Sequence, residues 1–154
     1  LAPNIRSATV SYDLMVFEPG APPSDRDGFL TWFFRTVRLQ DGHLTTDPSI
    51  ASSALRAWYR DMKTVYSPVS GPDVPADFAG DDERNTDYRF AESAIFARFG
   101  WEVSRKAYRK AMKLAHFHGL GFFDASGDNA AVWTPTSDDR FVISHRGEKI
   151  SIEA

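Results

Sequence analysis

An almost unbroken apolar run opens the patterned part of the chain: Thr9-Val-Ser-Tyr-Asp-Leu-Met-Val-Phe-Glu18, broken once by Asp13. A run this rich in β-branched and aromatic residues predicts a strand buried on both faces. Pro19-Gly-Ala-Pro-Pro23 ends it, because proline brings no N–H to a ladder and glycine permits a turn. Ser24 then reads as a helix cap, and Asp27 three residues on completes a variant capping box at the positive helix end. The helix carries Phe29, Leu30, Trp32, Phe33, Phe34 and Val37, an apolar arc wide enough to pack on two sides. Asp41-Gly42 is expected to stop it. Asp47-Pro48 predicts another helix start, with Asp47 as cap and Pro48 in the first turn, where its missing N–H costs nothing. Leu55, Trp58, Tyr59 and Met62 mark the buried stripe of that helix.

Periodicity then fails from residue 66 to residue 86, a stretch with three prolines, two glycines and an acidic balance. A connection of this length inside a domain is commonly functional or loosely ordered, so no element is assigned to it. Beyond it, Tyr88 and Phe90 on one side of Glu92-Ser93, and Ile95, Phe96 and Phe99 on the other, predict a hairpin. Gly100-Trp101 leads into a helix that Gly119 stops in the left-handed conformation. Leu120-Gly-Phe-Phe-Asp124 reads as a further strand, Ser126-Gly-Asp-Asn129 as a turn and Ala131-Val-Trp-Thr134 as a strand pairing back. In the tail, Phe141-Val-Ile-Ser144 and Lys149-Ile-Ser-Ile152 are expected to form a small hairpin around Arg146-Gly147.

The order β-α-α-β-β-α-β, with right-handed crossovers around one hairpin, predicts an α+β fold of the ferredoxin-like split-βαβ type with a C-terminal β extension. One sheet face would lie under helices, and the other would need cover from the extra helix, the C-terminal hairpin or a partner. Residues 1–9 are expected to be disordered or to derive from cloning or processing, and residues 10–154 to form one α+β domain.

Composition narrows the function more by exclusion than by selection. A net charge of -3 argues against a general nucleic-acid binder, which needs a basic excess. Without cysteine there are no disulfides, thiolate chemistry or cysteine-ligated metals, and a reducing cytoplasm is the expected location. No apolar run approaches the roughly 20 residues of a membrane span, and no signal-peptide pattern opens the chain. Aromatic residues reach 14%, enough to fill a core and still leave rings for a surface that a partner covers.

Candidate chemistry is sparse. His116 and His118 lie two apart on a helix, so they point roughly 200° from each other and cannot share a metal. His118 falls on the buried stripe near the negative helix end, while His43 and His145 read as ordinary surface residues. Arg105, Lys106, Arg109, Lys110 and Lys113 make a basic helix face, ordinarily just the solvated side; with no interleaved aromatics it does not read as a nucleic-acid surface. No Walker loop, nucleophile elbow, His-Glu-x-x-His or calcium-loop frame is present, and no catalytic residue, cofactor or metal is assigned. The acidic residues draw more notice: Asp73, Asp77, Asp81, Asp82 and Glu83 line the 66–86 loop, with Asp124, Asp128, Asp138 and Asp139 near strand ends or turns. A charge run in a loop usually just faces solvent. Its alternative is an acidic docking surface for a basic target.

Two patches, Ser11-Tyr-Asp-Leu-Met-Val-Phe17 followed by Phe29-Leu-Thr-Trp32, and His118-Gly-Leu-Gly-Phe-Phe-Asp124 after a helix, resemble a group of small bacterial proteins. Leu55-Arg-Ala-Trp58 and Thr86-Asp-Tyr88 extend the resemblance over roughly residues 9 to 134. Several members of that group look like immunity proteins encoded beside toxins of type VI secretion or related contact-dependent systems. The resemblance implies a non-enzymatic inhibitor that occludes a cognate toxin, with no functional residue carried over. On that expectation Asp73, Asp77, Asp81, Asp82 and Glu83 would make the contact, with Phe78 as its aromatic anchor. The alternative is a small-molecule-binding or enzymatic domain using the open sheet face, which would keep a deep pocket with a buried titratable group such as His118 or Asp124. A third reading is a self-associating module whose aromatic surplus covers a homodimer interface.

Overall fold

The central strand explains the rest of the architecture. In the computed structural model, which describes residues 11–38 and 44–152, β1 (Ser11–Phe17) is buried from Tyr12 through Phe17. It is flanked on both sides, by β3 (Ala94–Gly100) and by β4 (Gly121–Phe123), each antiparallel to it. Along β1, Tyr12, Leu14 and Val16 point to one face of the sheet and Met15 and Phe17 to the other. The continuous apolar run is thus the signature of a strand with cover on both sides.

Six strands form one antiparallel open sheet of order β2-β3-β1-β4-β5-β6, where β2 is Thr86–Phe90, β5 Val132–Pro135 and β6 Phe141–His145. Three α-helices are found among the described residues: α1 (Arg26–Val37), α2 (Ser53–Met62) and α3 (Ser104–Phe117). The fold is therefore α+β, as expected. Both α2 and α3 cover the Tyr12–Leu14–Val16 face, where Leu55, Trp58 and Met62 meet Ala107, Ala111 and Ala115. Trp58 ties them further, its indole N–H donating to the Ala111 carbonyl at 3.1 Å. The other face carries α1, whose Phe29 and Phe33 stack edge-on against Phe123 at 4.9 and 4.8 Å. The face expected to need cover is covered by the extra helix.

Several local expectations shift by a residue or more. The cap of α1 is Asp25, not Ser24: its carboxylate accepts from the Gly28 N–H at 2.8 Å, leaving Asp27 in the first turn. Asp47 does cap a turn through the Ser49 N–H, but only the short 3-10 turn Pro48–Ile50. Ala51 and Ser52 return to extended backbone, and α2 starts afresh with Ser52 as its cap. The arc of α1 is met on one side by the sheet. Leu30, Trp32, Phe34 and Val37 are partly buried around that cluster together with Ile150 and Ile152. Gly119 adopts φ +72 after α3, and the Leu120 N–H returns to the Ala115 carbonyl at 2.8 Å, as the helix stop requires.

The tail differs most. No hairpin joins 141–144 to 149–152. Instead β6 pairs with β5 through the turn at 136–140, where Asp139 has φ +65. Stacking of Phe141 on Trp133 and on His116 favours this register, and Ile150 and Ile152 bury against the α1 cluster. The stop at Asp41-Gly42, His43 and the expectation for residues 1–9 lie outside the described residues.

Candidate functional site

The 66–85 connection is laced by short bonds at its base rather than built into an element. The Thr86 N–H donates to the Ser67 carbonyl at 2.8 Å, the Val69 N–H to the Thr86 carbonyl at 3.0 Å, and the Tyr88 hydroxyl to the Tyr66 carbonyl at 2.7 Å. Turns follow at Pro75–Phe78, Ala79–Asp82 and Asp82–Asn85, and the Asn85 amide pins the Ala79 carbonyl at 2.7 Å.

This frame divides the six expected contact residues. Asp73 accepts from the Tyr59 hydroxyl at 3.0 Å and pairs with Lys63 at 3.3 Å, so it fastens the loop to α2. Asp82 is held by Arg84, whose side chain and N–H both donate to it, and those bonds keep its carboxyl below the usual range. Asp77, Asp81 and Glu83 are exposed and form no ion pair among the described residues. Phe78, 41% exposed, stands between Asp77 and Asp81. The carbonyl of Glu83 packs against Gly100, where an added Cβ would meet it at 3.0 Å. The end of the loop thereby reaches the residue before Trp101, which is 54% exposed.

Trp101 is also one wall of an open cleft of about 300 Å³ at the start of α3. Tyr108 from α3 and Tyr12 from β1 continue that lining, and the segment after β4 supplies Asp124, Ser126 and Asp128. The Tyr12 hydroxyl donates to Asp124 Oδ1 at 2.7 Å. The segment is stitched to β1 by a reciprocal pair: the Asp13 N–H donates to Ser126 Oγ at 2.8 Å and the Ser126 N–H to the Asp13 carbonyl at 3.1 Å. Asp13 itself, only 4% exposed, is ionically matched by Arg98 at 3.2 Å on the neighbouring strand. Gly127 passes so close that a Cβ there would collide with the Asp124 carboxylate.

Burial pushes the Asp124 carboxyl above its ordinary value; the Tyr12 hydrogen bond and Lys149 oppose that rise, and Asp128 adds to it. Burial also raises Tyr12, and the neighbouring Asp124 charge raises it further. Tyr108 moves the same way for the same two reasons. A half-buried carboxylate of this kind, in a cleft, is an environment in which function is commonly found.

Histidines fall elsewhere. His118 follows the last turn of α3, with Nε2 2.9 Å from Asp61 of α2. Asp124 sits beside the first turns of α3, at the opposite end of that helix, and His118 does not line its cleft. His116 faces the other way, stacked on Phe141 and 3.1 Å from the Asp139 carbonyl. His145 is not the ordinary surface residue expected. Its Nδ1 lies 3.2 Å from Arg26 Nη1, its ring packs on Phe29, and burial and the Arg26 charge lower its pKa. No group of side chains suited to a metal ion occurs among the described residues. The basic face of α3 forms no ion pair among them either, which is the solvated arrangement expected. No helix among them is long and apolar enough to cross a membrane.

Sequence reasoning named Asp124 but missed Tyr12, Trp101 and Tyr108 as its company. The chain matches no protein-family description, no curated protein and no solved structure.

Proposed function

We propose that this chain is a non-catalytic binding protein, an immunity protein that occludes a cognate bacterial toxin through a basic surface of that toxin. The observation carrying this reading is the outer part of the loop. Asp77, Asp81 and Glu83 carry charge with no ion pair among the described residues on either side of the exposed ring of Phe78 in the chain, and the Glu83 carbonyl packs on Gly100, next to the exposed indole of Trp101. Aromatic anchors within a charged rim dominate many protein interfaces, and unpaired surface charge steers an oppositely charged partner onto them. The resemblance of the Ser11–Phe17 and His118–Asp124 patches to immunity-like proteins points the same way.

The scaffold supports a finer reading too. Strands in the order β2-β3-β1-β4, with α2 and α3 on one face, are what a ferredoxin-like split-βαβ core would have, α1 and the β5–β6 pair being additions. A small rigid core presenting one long loop suits an inhibitor.

Asp124 in its cleft favours the alternative, a small-molecule or catalytic domain. It has one tyrosine as hydrogen-bond partner and no histidine, lysine or second carboxylate hydrogen-bonded to it among the described residues. Acid–base chemistry ordinarily needs such a pair, so the cleft is read as a recognition pocket. The test is hydrogen exchange of the protein alone and with the toxin encoded beside it. Protection is expected at residues 76–83 and at Trp101; protection confined to other surfaces would overturn this reading.

A further inference from the structure

We infer that the cleft between Trp101, Tyr12 and Asp124 is a socket for a cationic side chain, an arginine or lysine, of the protein partner proposed above. This rests on that partner reading, and four observations support it. The Asp124 carboxylate has one donor among the described residues, Tyr12 on Oδ1, so Oδ2 has lone pairs open to a ligand. Gly127 packs directly on that carboxylate, where any Cβ would collide with Oδ2, so only glycine at this position lets Asp124 hold its place in the cleft. Trp101 and Tyr108 line the same space, and rings of this kind attract a cation over their faces. Asp128 adds a second carboxylate to the lining.

The chain's own cations leave the place open. Lys149 is near enough for its charge to act on Asp124, but its Nζ donates to the Ser126 carbonyl at 3.2 Å and forms no ion pair with the carboxylate. Arg105 lines the cleft but is exposed, and likewise forms no ion pair there. Arg105 also sets the opposing case. Together with the N-terminus of α3, which no side chain caps, it would favour an anion.

Continuity with the loop selects a partner's side chain over a free amine. Trp101 belongs to the cleft and follows directly on Gly100, against which the end of the acidic loop packs. A basic protein surface laid on Phe78 would bring its neighbouring cations to the cleft.

The probe is N-acetyl-arginine methylamide, titrated into the full chain and followed by backbone and side-chain NMR. The neutral isostere N-acetyl-citrulline methylamide and inorganic phosphate serve as controls. Shifts are expected at Tyr12, Trp101, Asp124 and Gly127, with arginine binding about tenfold more tightly than citrulline because the charge-assisted bond and the cation–π contact are lost. Asp124→Asn, which keeps an acceptor for Tyr12, should abolish that preference, and Trp101→Ala should weaken it without unfolding the chain. Equal response to citrulline, a stronger response to phosphate, or no response at all would overturn the inference. Toxin binding separates the two proposals. A complex unaffected by Asp124→Asn removes the socket and keeps the partner; arginine binding without any toxin complex removes the partner and with it the assignment of the ligand to a partner's side chain.

Discussion

In the 66–85 loop, Asp77, Asp81 and Glu83 stand exposed without an ion-pair partner among the described residues, whereas Asp124 sits half-buried with one tyrosine donating to it. The same chemical group is used in two ways. In the loop, charge is held in water, where a single carboxylate contributes little and several together steer a partner. In the cleft, one carboxylate is withdrawn from water, and its ionised form gains from any cation brought to it. The loop carries five acidic residues, yet two of its carboxylates are used internally, Asp73 on α2 and Asp82 on Arg84. Surroundings, not number, separate a recognition group from a structural one.

Replacing Phe78, Asp77, Asp81 and Glu83 together with alanine should break the contrast most visibly. None of these side chains makes a hydrogen bond or ion pair among the described residues, so the thermal midpoint should stay close to that of the parent. Toxin affinity, measured by calorimetry, should fall by about 100-fold or more, the loss of a hot-spot ring and its rim. Unchanged affinity would remove the loop from the interface.

Gly127→Ala acts on the cleft alone. Its Cβ would collide with the Asp124 carboxylate, and relief of overpacking of this kind costs about 1–3 kcal/mol. A lower denaturation midpoint together with loss of the arginine response is expected. A midpoint and a response both equal to the parent's would mean the carboxylate has more room than its packing implies.

Asp73→Ala sharpens the division within the loop. It strips the Tyr59 hydroxyl and Lys63 of their shared partner, at about 1 kcal/mol for a part-exposed site, and should leave toxin affinity nearly unchanged. The opposite pattern, unchanged stability with weakened binding, would return Asp73 to the interface.

The smallest effect concerns pH. The folded pKa of Asp124 lies above its ordinary 3.8, so the stability this group contributes is fully present below pH 3.8 and is lost as pH rises through the folded value. Asp124→Asn removes that loss. Its stability relative to the parent should therefore climb with pH across this window and level off above it, as read from melting curves at a series of pH values. A flat difference would mean that burial of the carboxylate is offset by Tyr12 and Lys149.

What could be read in the sequence was what depends on neighbours along the chain. The stripe of Leu55, Trp58, Tyr59 and Met62, the Glu92-Ser93 hairpin and the Gly119 stop each follow from a local period or a backbone requirement, and each is present. The cap moved from Ser24 to Asp25 because two adjacent residues both qualify and only helix phase decides between them. The expected hairpin of 141–144 with 149–152 gives way to pairing of β6 with β5 because stacking of Phe141 on His116 and Trp133 is a tertiary contact. The cleft was legible only as an isolated Asp124. Its tyrosine partner lies 112 residues away and meets it only because β1 and β4 are adjacent in the sheet. The division of the acidic loop was hidden for the same reason, since Asp73 is claimed by a helix that only the folded chain brings beside it.

The most direct test of the central claim is growth of bacterial cells expressing the neighbouring gene, the proposed toxin, alone, with this chain, and with the loop variant lacking Phe78, Asp77, Asp81 and Glu83. The account predicts arrest alone, rescue with a one-to-one complex, and failure of rescue by the stably folded variant. Absence of toxicity, or rescue by the variant as complete as by the parent, would contradict it.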